Sequence, residues 1–231
     1  MKPDQALAWM QDGTKRLLAD VAGLSEEALA APTSLPGWSR RYLVSHIAAN
    51  ADALRNLAYW ARTGEERRMY VSTQQREADI AAGSRLPLAE LRAWVTTSAE
   101  GLAADLDALP EPAWDATVIT AQGLSRPASD IPWMRDRELY IHGIDLGAGT
   151  RWPDLPAGFL SALIDDVTAR RSGKGGGPAL AVAASDTGQT WSVAGGGAPV
   201  PVSGPLCDLA AYLTGRPAPG LRTAPVLPAW L

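Results

Sequence analysis

The first 150 residues of the chain repeat apolar side chains at helical spacing, and proline or glycine interrupts the repeat. Apolar residues three and four positions apart over several turns are typical of amphipathic helices that bury one stripe. A first helix is predicted from about Pro3 to Leu24. A second is predicted after a Pro-Gly turn, with Ser39 as its N-cap, and it runs to about Thr63, where Gly64 ends it.

Two further helices follow in the same part of the chain. The third ends at Pro110, and its apolar anchors are Leu88, Leu91, Val95, Leu102, Leu106 and Leu109. The fourth begins near Asp130, has Pro132 in its first turn, and ends at Gly147 or Gly149. Four helices of this length predict a helical bundle.

The pattern changes beyond the fourth helix, where proline and glycine become more frequent. The segment RWPDLP, residues 151–156, marks a domain boundary. The elements predicted after it are a helix (157–171), two short strands (179–184 and 190–194) and a last helix (206–213). We therefore predict a two-domain α+β protein, with a helical bundle over residues 1–150 and a small α+β domain over residues 151–231.

Composition excludes several functional classes. The single cysteine, Cys207, can form neither an internal disulfide nor a CxxC redox pair, so any thiol chemistry needs a thiol from outside the chain. A net charge of −4 without a dense Lys/Arg run argues against nucleic acid as a partner. No run approaches the roughly 18 apolar residues of a membrane span. Asp4 and Asp12 interrupt the apolar stretch that a secretory signal would need, so we expect a cytoplasmic protein.

The chain contains two histidines, and both fall on predicted inward faces of bundle helices. His46 shares a face of the second helix with Leu43 and Ile47. In the fourth helix Glu138 precedes His142 by four positions, so the two side chains project from one face. Two histidines and one carboxylate resemble the ligand set of catalytic zinc sites. The same spacing suits two buried histidines satisfied by hydrogen bonds, and both interpretations stay open on the residues alone.

Three segments carry a family resemblance. They are LPGWSRRYLVSHIAANADALRNLAYWARTGEERRMY (35–70), IPWMRDRELYIHGIDLGAG (131–149) and LAAYLTGR (209–216). These segments closely resemble the mycothiol-dependent maleylpyruvate isomerases, a branch of the DinB-like metal-binding four-helix proteins. The resemblance covers both predicted domains. It implies a DinB-like bundle followed by an α+β domain similar to sterol carrier proteins.

The resemblance also implies the site residues. A zinc ion is carried in this family by a histidine of the second helix and by the glutamate and histidine of the fourth, which match His46, Glu138 and His142. A functional arginine of the carboxy-terminal segment matches Arg216 in LTGR, although Arg222 lies only six residues further on. Arginine suits this role because it binds a carboxylate through two parallel hydrogen bonds.

Other polar residues are candidates to support the site. Asn50, one turn beyond the first histidine, and Asp145, three residues beyond the second, are placed to accept the remaining ring N–H of a ligand histidine. Capping or packing explains each of them equally well. Residues 65–87 form a long polar connection that we expect to be partly helical. Its Tyr70, Arg76 and Arg85 either contact the thiol cofactor or are solvated loop residues, and the second interpretation is favoured.

The function implied by the resemblance is the cis–trans isomerisation of maleylpyruvate to fumarylpyruvate in gentisate degradation, with zinc and mycothiol as cofactors. Reversible addition of a thiolate makes the double bond temporarily single, which permits rotation. Two alternatives stay open, a mycothiol S-transferase acting on another electrophile and a non-catalytic, metal-stabilised binding module. The expected partners are a small-molecule substrate and the thiol cofactor, with neither nucleic acid nor a membrane.

Overall fold

The structure, a computed structural model, describes residues 3–229, and the chain divides into two compact units, Met1–Thr150 and Arg151–Leu231. The helices of the amino-terminal unit are α1 (Pro3–Gly23), α2 (Glu26–Ala30), α3 (Arg40–Thr63), α4 (Thr73–Gly83), α5 (Leu88–Asp107) and α6 (Ile131–Leu146). The four longest, α1, α3, α5 and α6, form a bundle in which α3 packs against α5 and α6, and α1 packs against α6.

The ends of α3 and α6 follow local sequence signals. Ser39 Oγ accepts a hydrogen bond from the backbone N–H of Tyr42 at 3.2 Å, which caps the start of α3. Gly64 ends the same helix in the left-handed region, with φ of 76°. Gly147, with φ of 62°, ends α6, so the first of the two predicted glycines is the one used. The predicted bounds of these two helices are confirmed to within a residue or two.

Apolar side chains from the four long helices form the core of the amino-terminal unit. Its members include Leu17, Val21, Leu43, Ile47, Leu54, Leu57, Leu91, Val95, Leu102, Leu106, Ile131 and Leu139. Helix α3 lies at the centre and buries residues on every face, including the polar Ser45, His46 and Asn50. Its polar side chains therefore lie inside the bundle, where each needs a partner.

The polar connection between α3 and α5 contains a regular helix, α4. Ser72 caps it by accepting from the backbone N–H of Gln75 at 3.0 Å. Its inner face docks on the bundle through Ile80, whose carbonyl accepts a hydrogen bond from Ser45 Oγ at 2.7 Å. Gly83 allows the close approach, because a Cβ there would lie 2.2 Å from the Trp94 ring. These contacts fix the side of α3 on which α4 lies.

A short antiparallel hairpin before α6 was not predicted. Its strands, β1 (Thr117–Ile119) and β2 (Ser125–Pro127), pair Val118 with Arg126. Strands of three residues are too short to show the alternation by which a strand is recognised. Short 3-10 helices flank the hairpin at Glu111–Asp115 and Ala128–Asp130.

The carboxy-terminal unit packs two helices with a three-stranded sheet. Its elements are α7 (Ala157–Lys174), β3 (Pro178–Ala184), β4 (Thr190–Val193), β5 (Gly196–Gly204) and α8 (Leu206–Leu213), with 3-10 helices at Trp152–Asp154 and Pro219–Leu221. The sheet order is β4-β3-β5, with β3 antiparallel to β4 and parallel to β5. Strand β5 was not predicted because it contains Pro199 and Pro201, which an edge strand tolerates.

The predicted fold class, an α+β chain with a helical bundle followed by a smaller α+β region, is confirmed. Within residues 3–229, no helix combines the length and the apolar character needed to cross a lipid bilayer.

Candidate metal centre

Three side chains of α3 and α6 converge inside the amino-terminal bundle. The spacing of Glu138 and His142 places both on the face of α6 that meets α3, where His46 projects towards them. Glu138 Oε2 lies 2.9 Å from His46 Nε2 and 3.4 Å from His142 Nε2. One potential ligand atom from each residue lies within 4.8 Å of the other two. The two imidazole rings are nearly perpendicular, at 83°, with centroids 5.2 Å apart.

This donor set fits a divalent metal ion. Ligand atoms about 2.1 Å from a tetrahedral zinc ion are about 3.4 Å from one another. That value equals the separation of Glu138 Oε2 from His142 Nε2 and exceeds its 2.9 Å separation from His46 Nε2. Two imidazole nitrogens and one carboxylate oxygen leave a fourth position for an exchangeable ligand. His46 is 5% exposed, whereas the side chains of His142 and Glu138 are 18% and 26% exposed, so solvent reaches the site from the α6 side.

The charges of the site also suit a metal. Burial lowers the pKa of His46, and it outweighs the opposing effect of Glu138. Burial by itself would raise the pKa of Glu138, but the hydrogen bond and charge of His46, with the charge of His142, hold that pKa below its ordinary value. A neutral imidazole and an ionised carboxylate are the forms in which these residues bind metals.

Asp145 lies behind His142. Its Oδ2 is 2.9 Å from His142 Nδ1, and its Oδ1 accepts a hydrogen bond from Ser34 Oγ at 2.9 Å. A carboxylate that accepts from Nδ1–H leaves the Nε2 lone pair directed at the site. The helical spacing places Asp145 there. Ser34 lies 111 residues earlier in the chain, and nothing in the sequence pointed to it.

Within residues 3–229, Asn50 forms no hydrogen bond with either histidine. Its Oδ1 accepts a hydrogen bond from Arg135 Nη1 at 3.0 Å, and the same nitrogen donates to the carbonyl of Ile47 at 2.7 Å. Burial lowers the pKa of Arg135 to about 10, so the guanidinium stays charged at neutral pH. Asn50 and Arg135 therefore tie α3 to α6 and hold the two histidine-bearing helices together.

Sequence reasoning underestimated Arg76. Its Nη2 lies 3.2 Å from His46 Nδ1, and its guanidinium carbon lies 5.5 Å from the centre of the Tyr70 ring. Trp38 packs edge-on against the same imidazole, with centroids 5.3 Å apart. Arg85, by contrast, is exposed. The capped helix α4 brings Arg76 to the site, and the sequence predicted this helix only as part of a partly helical connection over residues 65–87.

Among the cavities beside α4, two that Tyr70 lines differ in charge. One, of about 260 Å³, is lined by Arg76 together with Arg68, Met69, Tyr70, Ser72, Thr73, Thr120, Ala121 and Gly123. The other, of about 470 Å³, is lined mainly by α3 and α4 residues with Trp94, and it carries the carboxylates of Asp52 and Asp79. The smaller cavity is basic and reaches a neighbour of His46, so it offers room for an anion close to the ligand set.

The two remaining candidates lie in the carboxy-terminal unit. Arg216 follows α8, is half-buried, and donates from Nη1 to the carbonyl of Thr214 at 2.8 Å. Its role in binding a carboxylate stays a prediction. Cys207 is half-buried in α8, and burial raises the pKa of its thiol. A thiol that stays protonated at neutral pH is a poor nucleophile, which agrees with the need for an external thiol.

Comparisons with known proteins cover the whole chain. The family model described as the mycothiol maleylpyruvate isomerase N-terminal domain matches residues 10–147, and the MDMPI C-terminal domain matches residues 154–230. A crystal structure of the mycothiol-dependent maleylpyruvate isomerase is 35% identical, with a TM-score of 0.94 over 100% of this chain and 98% of that one. A histidine-to-alanine mutant of that isomerase is 34% identical with the same coverage and TM-score. A search of curated proteins finds no match.

Proposed function

The chain belongs to the mycothiol maleylpyruvate isomerase family, and on this basis we propose that it converts maleylpyruvate to fumarylpyruvate in gentisate degradation, with mycothiol and zinc as cofactors. The observation that carries the proposal is the convergence of His46, Glu138 and His142 in metal-binding geometry, within a chain that matches the family along its length. The family match supports a small-molecule substrate and a thiol as partners. The proposal also places the chain in the cytoplasm and leaves out nucleic acid as a partner, since its net charge is −4.

The ligand residues set the chemistry that the site offers. A zinc ion held there would supply the Lewis acidity that favours the thiolate form of mycothiol, which adds reversibly to the double bond of the substrate. His46 and His142 would contribute neutral nitrogens and Glu138 one negative charge, so with a divalent ion bound the site would keep a net positive charge for an anionic thiolate. Asp145 and Ser34 fix the His142 ring so that Nε2 faces the site.

The packing around His46 protects one side of the site from water. Trp38 lies edge-on to the ring, and α3 buries its neighbours Ser45 and Ile47 completely. The exclusion of water on this side lowers the local dielectric constant and strengthens the electrostatic interaction between the site and a bound anion. Maleylpyruvate is a dianion, and we propose Arg216 as a group that binds one of its carboxylates in a bidentate manner.

The test uses purified protein loaded with Zn²⁺. Maleylpyruvate should be converted to fumarylpyruvate only when mycothiol is present, and chelation of the metal should stop turnover. His142→Ala should lower both zinc content and the rate, the latter by about 10³-fold or more, as expected when a catalytic metal ligand is lost. Glu138→Gln should weaken zinc binding as well, whereas Glu111→Gln, at an exposed glutamate, should change neither quantity.

Four outcomes would contradict parts of the proposal. Turnover without added thiol would exclude the thiolate mechanism. A zinc content near one per chain in His142→Ala would show that the ligand assignment is wrong. Accumulation of a thioether between mycothiol and the substrate would identify the chain as an S-transferase, and zinc binding without turnover of any electrophile would favour a binding module.

A further inference from the structure

The imidazole of His46 has a partner on each ring nitrogen. Glu138 Oε2 lies 2.9 Å from Nε2, on the side where the ligand atoms converge. Arg76 Nη2 lies 3.2 Å from Nδ1, on the opposite side of the ring. Arg76 is held in place by α4, which the Ser72 cap and the hydrogen bond from Ser45 to Ile80 fix against the bundle.

The two ring contacts require one arrangement of the ring proton. A guanidinium has only N–H donors and does not lose a proton in proteins, so Arg76 can bond to Nδ1 only through a lone pair on that nitrogen. The proton of the neutral ring then lies on Nε2 and is donated to Glu138. A metal ion bound through Nε2 needs the reverse arrangement, with the proton on Nδ1. The N–H groups of His46 and Arg76 would then point at each other.

His142 shows the arrangement that a metal ligand normally has. Its Nδ1 faces the carboxylate of Asp145 at 2.9 Å, and a carboxylate accepts the ring proton. His46 has a cationic donor in the equivalent position. The two histidines therefore differ at Nδ1, where His46 faces a cation that opposes metal binding through Nε2 and His142 faces a carboxylate that favours it.

A displaced Arg76 side chain has a cavity beside it. The cavity of about 260 Å³ is lined by Arg76, Tyr70, Ser72 and Thr120, and it contains no acidic side chain in its lining. A guanidinium turned into it keeps its charge near the ligand set and directs its N–H groups at a space that suits a small anion. A guanidinium binds a carboxylate through two parallel N–H···O hydrogen bonds, so a carboxylate suits this position.

We propose that Arg76 and the metal ion compete for His46, and that the displaced guanidinium binds a carboxylate of the substrate. Metal and dicarboxylate then raise each other's affinity. A bound metal ion frees the Arg76 guanidinium for the carboxylate, and a bound carboxylate holds that guanidinium away from His46. The carboxylate part rests on the proposed function, whereas the competition for His46 rests on the geometry alone. Arg76 is therefore a binding residue that couples the two ligands.

The test measures Zn²⁺ affinity in competition with a chromophoric chelator, with and without maleate, a cis dicarboxylate that supplies the carboxylates without turnover. Arg76→Met should bind Zn²⁺ about 10-fold more tightly than the wild type, since the competitor is gone. Arg76→Gln should bind at least as tightly, because its amide oxygen accepts from Nδ1–H. Maleate should tighten Zn²⁺ binding by about 5-fold in the wild type and not in either variant. The exposed Arg85→Met serves as the control and should match the wild type.

A second readout reports the ring proton directly. The chain has two histidines, so ¹⁵N NMR of the imidazoles resolves each ring. Zn²⁺ should move the His46 proton from Nε2 to Nδ1 and leave that of His142 on Nδ1. Unchanged or weaker Zn²⁺ binding in both Arg76 variants would overturn the competition, and equal maleate coupling in wild type and variants would overturn the carboxylate role. Neither measurement uses turnover, so these results stay separate from the failure of isomerase activity.

Discussion

Each unit of the molecule buries an arginine, and the two are satisfied in different ways. In the carboxy-terminal unit, Arg171 donates twice to the carbonyl of Leu213, at 2.9 and 2.7 Å, and once to that of Pro228 at 2.9 Å. In the amino-terminal unit, Arg135 donates from Nη1 alone, and its buried Nη2 has no hydrogen-bond partner among residues 3–229. Its neighbour Asp136 is also buried, and neither carboxylate oxygen has a partner in that part of the chain.

The difference separates buried polar groups that serve the fold from those that lie near the candidate metal site. A buried polar group with all of its hydrogen bonds stabilises a fold, whereas groups left incomplete cost stability and are kept where a function needs them. The incomplete groups Arg135 and Asp136 lie within one helical turn of Glu138, and the complete one lies in the other unit. We therefore expect stability and metal affinity to respond to different substitutions.

Arg171→Met should have the largest effect on stability. It removes three hydrogen bonds and leaves the carbonyls of Leu213 and Pro228 unsatisfied, so the free energy of unfolding should fall by about 3 kcal/mol. Urea denaturation measures this change. Zinc affinity of the folded protein should stay at the wild-type value. Arg170→Met, which breaks only the partly exposed ion pair with Asp166, should cost less than about 1 kcal/mol. If Arg171→Met also lost zinc affinity, stability and metal binding would not respond to different substitutions.

Asp145→Ala should have the converse effect. The substitution removes the acceptor that orients His142, and zinc affinity should fall by about 10- to 100-fold. Calorimetric titration with Zn²⁺ measures the loss. Asp107→Ala, at an exposed aspartate, should bind zinc like the wild type. If Asp145→Ala keeps its affinity, the aspartate serves packing and not the metal site.

Asp136→Asn should have a smaller effect that depends on pH. Burial raises the pKa of Asp136 to about 9, so the folded chain holds a proton that the unfolded chain releases near pH 4. A carboxyl whose folded pKa is raised contributes stability that is fully present below about pH 4 and is lost as pH rises to about 9. The asparagine variant lacks this loss. Its free energy of unfolding, relative to that of the wild type, should therefore rise by about 1 kcal/mol from pH 7 to 8.

Thermal denaturation at pH 7, 7.5 and 8 checks this prediction. The melting temperature of Asp136→Asn should fall less over that interval than that of the wild type, and Asp115→Asn, at an exposed aspartate, should follow the wild type. Parallel curves for all three proteins would show that Asp136 is ionised in the folded chain, which would require a partner for its carboxylate.

The parts of the structure that the sequence predicts are those set by near neighbours along the chain. Ser39 and Gly64 fix the ends of α3 through contacts within four residues, and the spacing of Glu138, His142 and Asp145 fixes their common face on α6. Local signals of this kind can be recognised in a single sequence. The convergence of His46 with them needed the family resemblance, because 92 residues separate it from Glu138.

The remaining parts depend on distant contacts that leave no local pattern. Ser34 reaches Asp145 across 111 residues, and Arg135 reaches Asn50 across 85. The expected histidine contact of Asn50 was reasonable by spacing, but a buried arginine of another helix occupies its oxygen. Strand β5 forms because β3 offers it a parallel edge, although its glycines and prolines have low strand propensity.

Helix α4 differs from its neighbours in how little of it is buried. Of its residues only Ile80 and Gly83 are buried, whereas α3 is enclosed along most of its length. Segments with few buried contacts open and close locally far more often than core helices. The histidines and the glutamate therefore lie on helices that we expect to open rarely, and Arg76 lies on a helix that we expect to open often. We therefore expect the exchange of an ion bound at this site to follow the local opening of α4 more closely than any motion of α3 or α6.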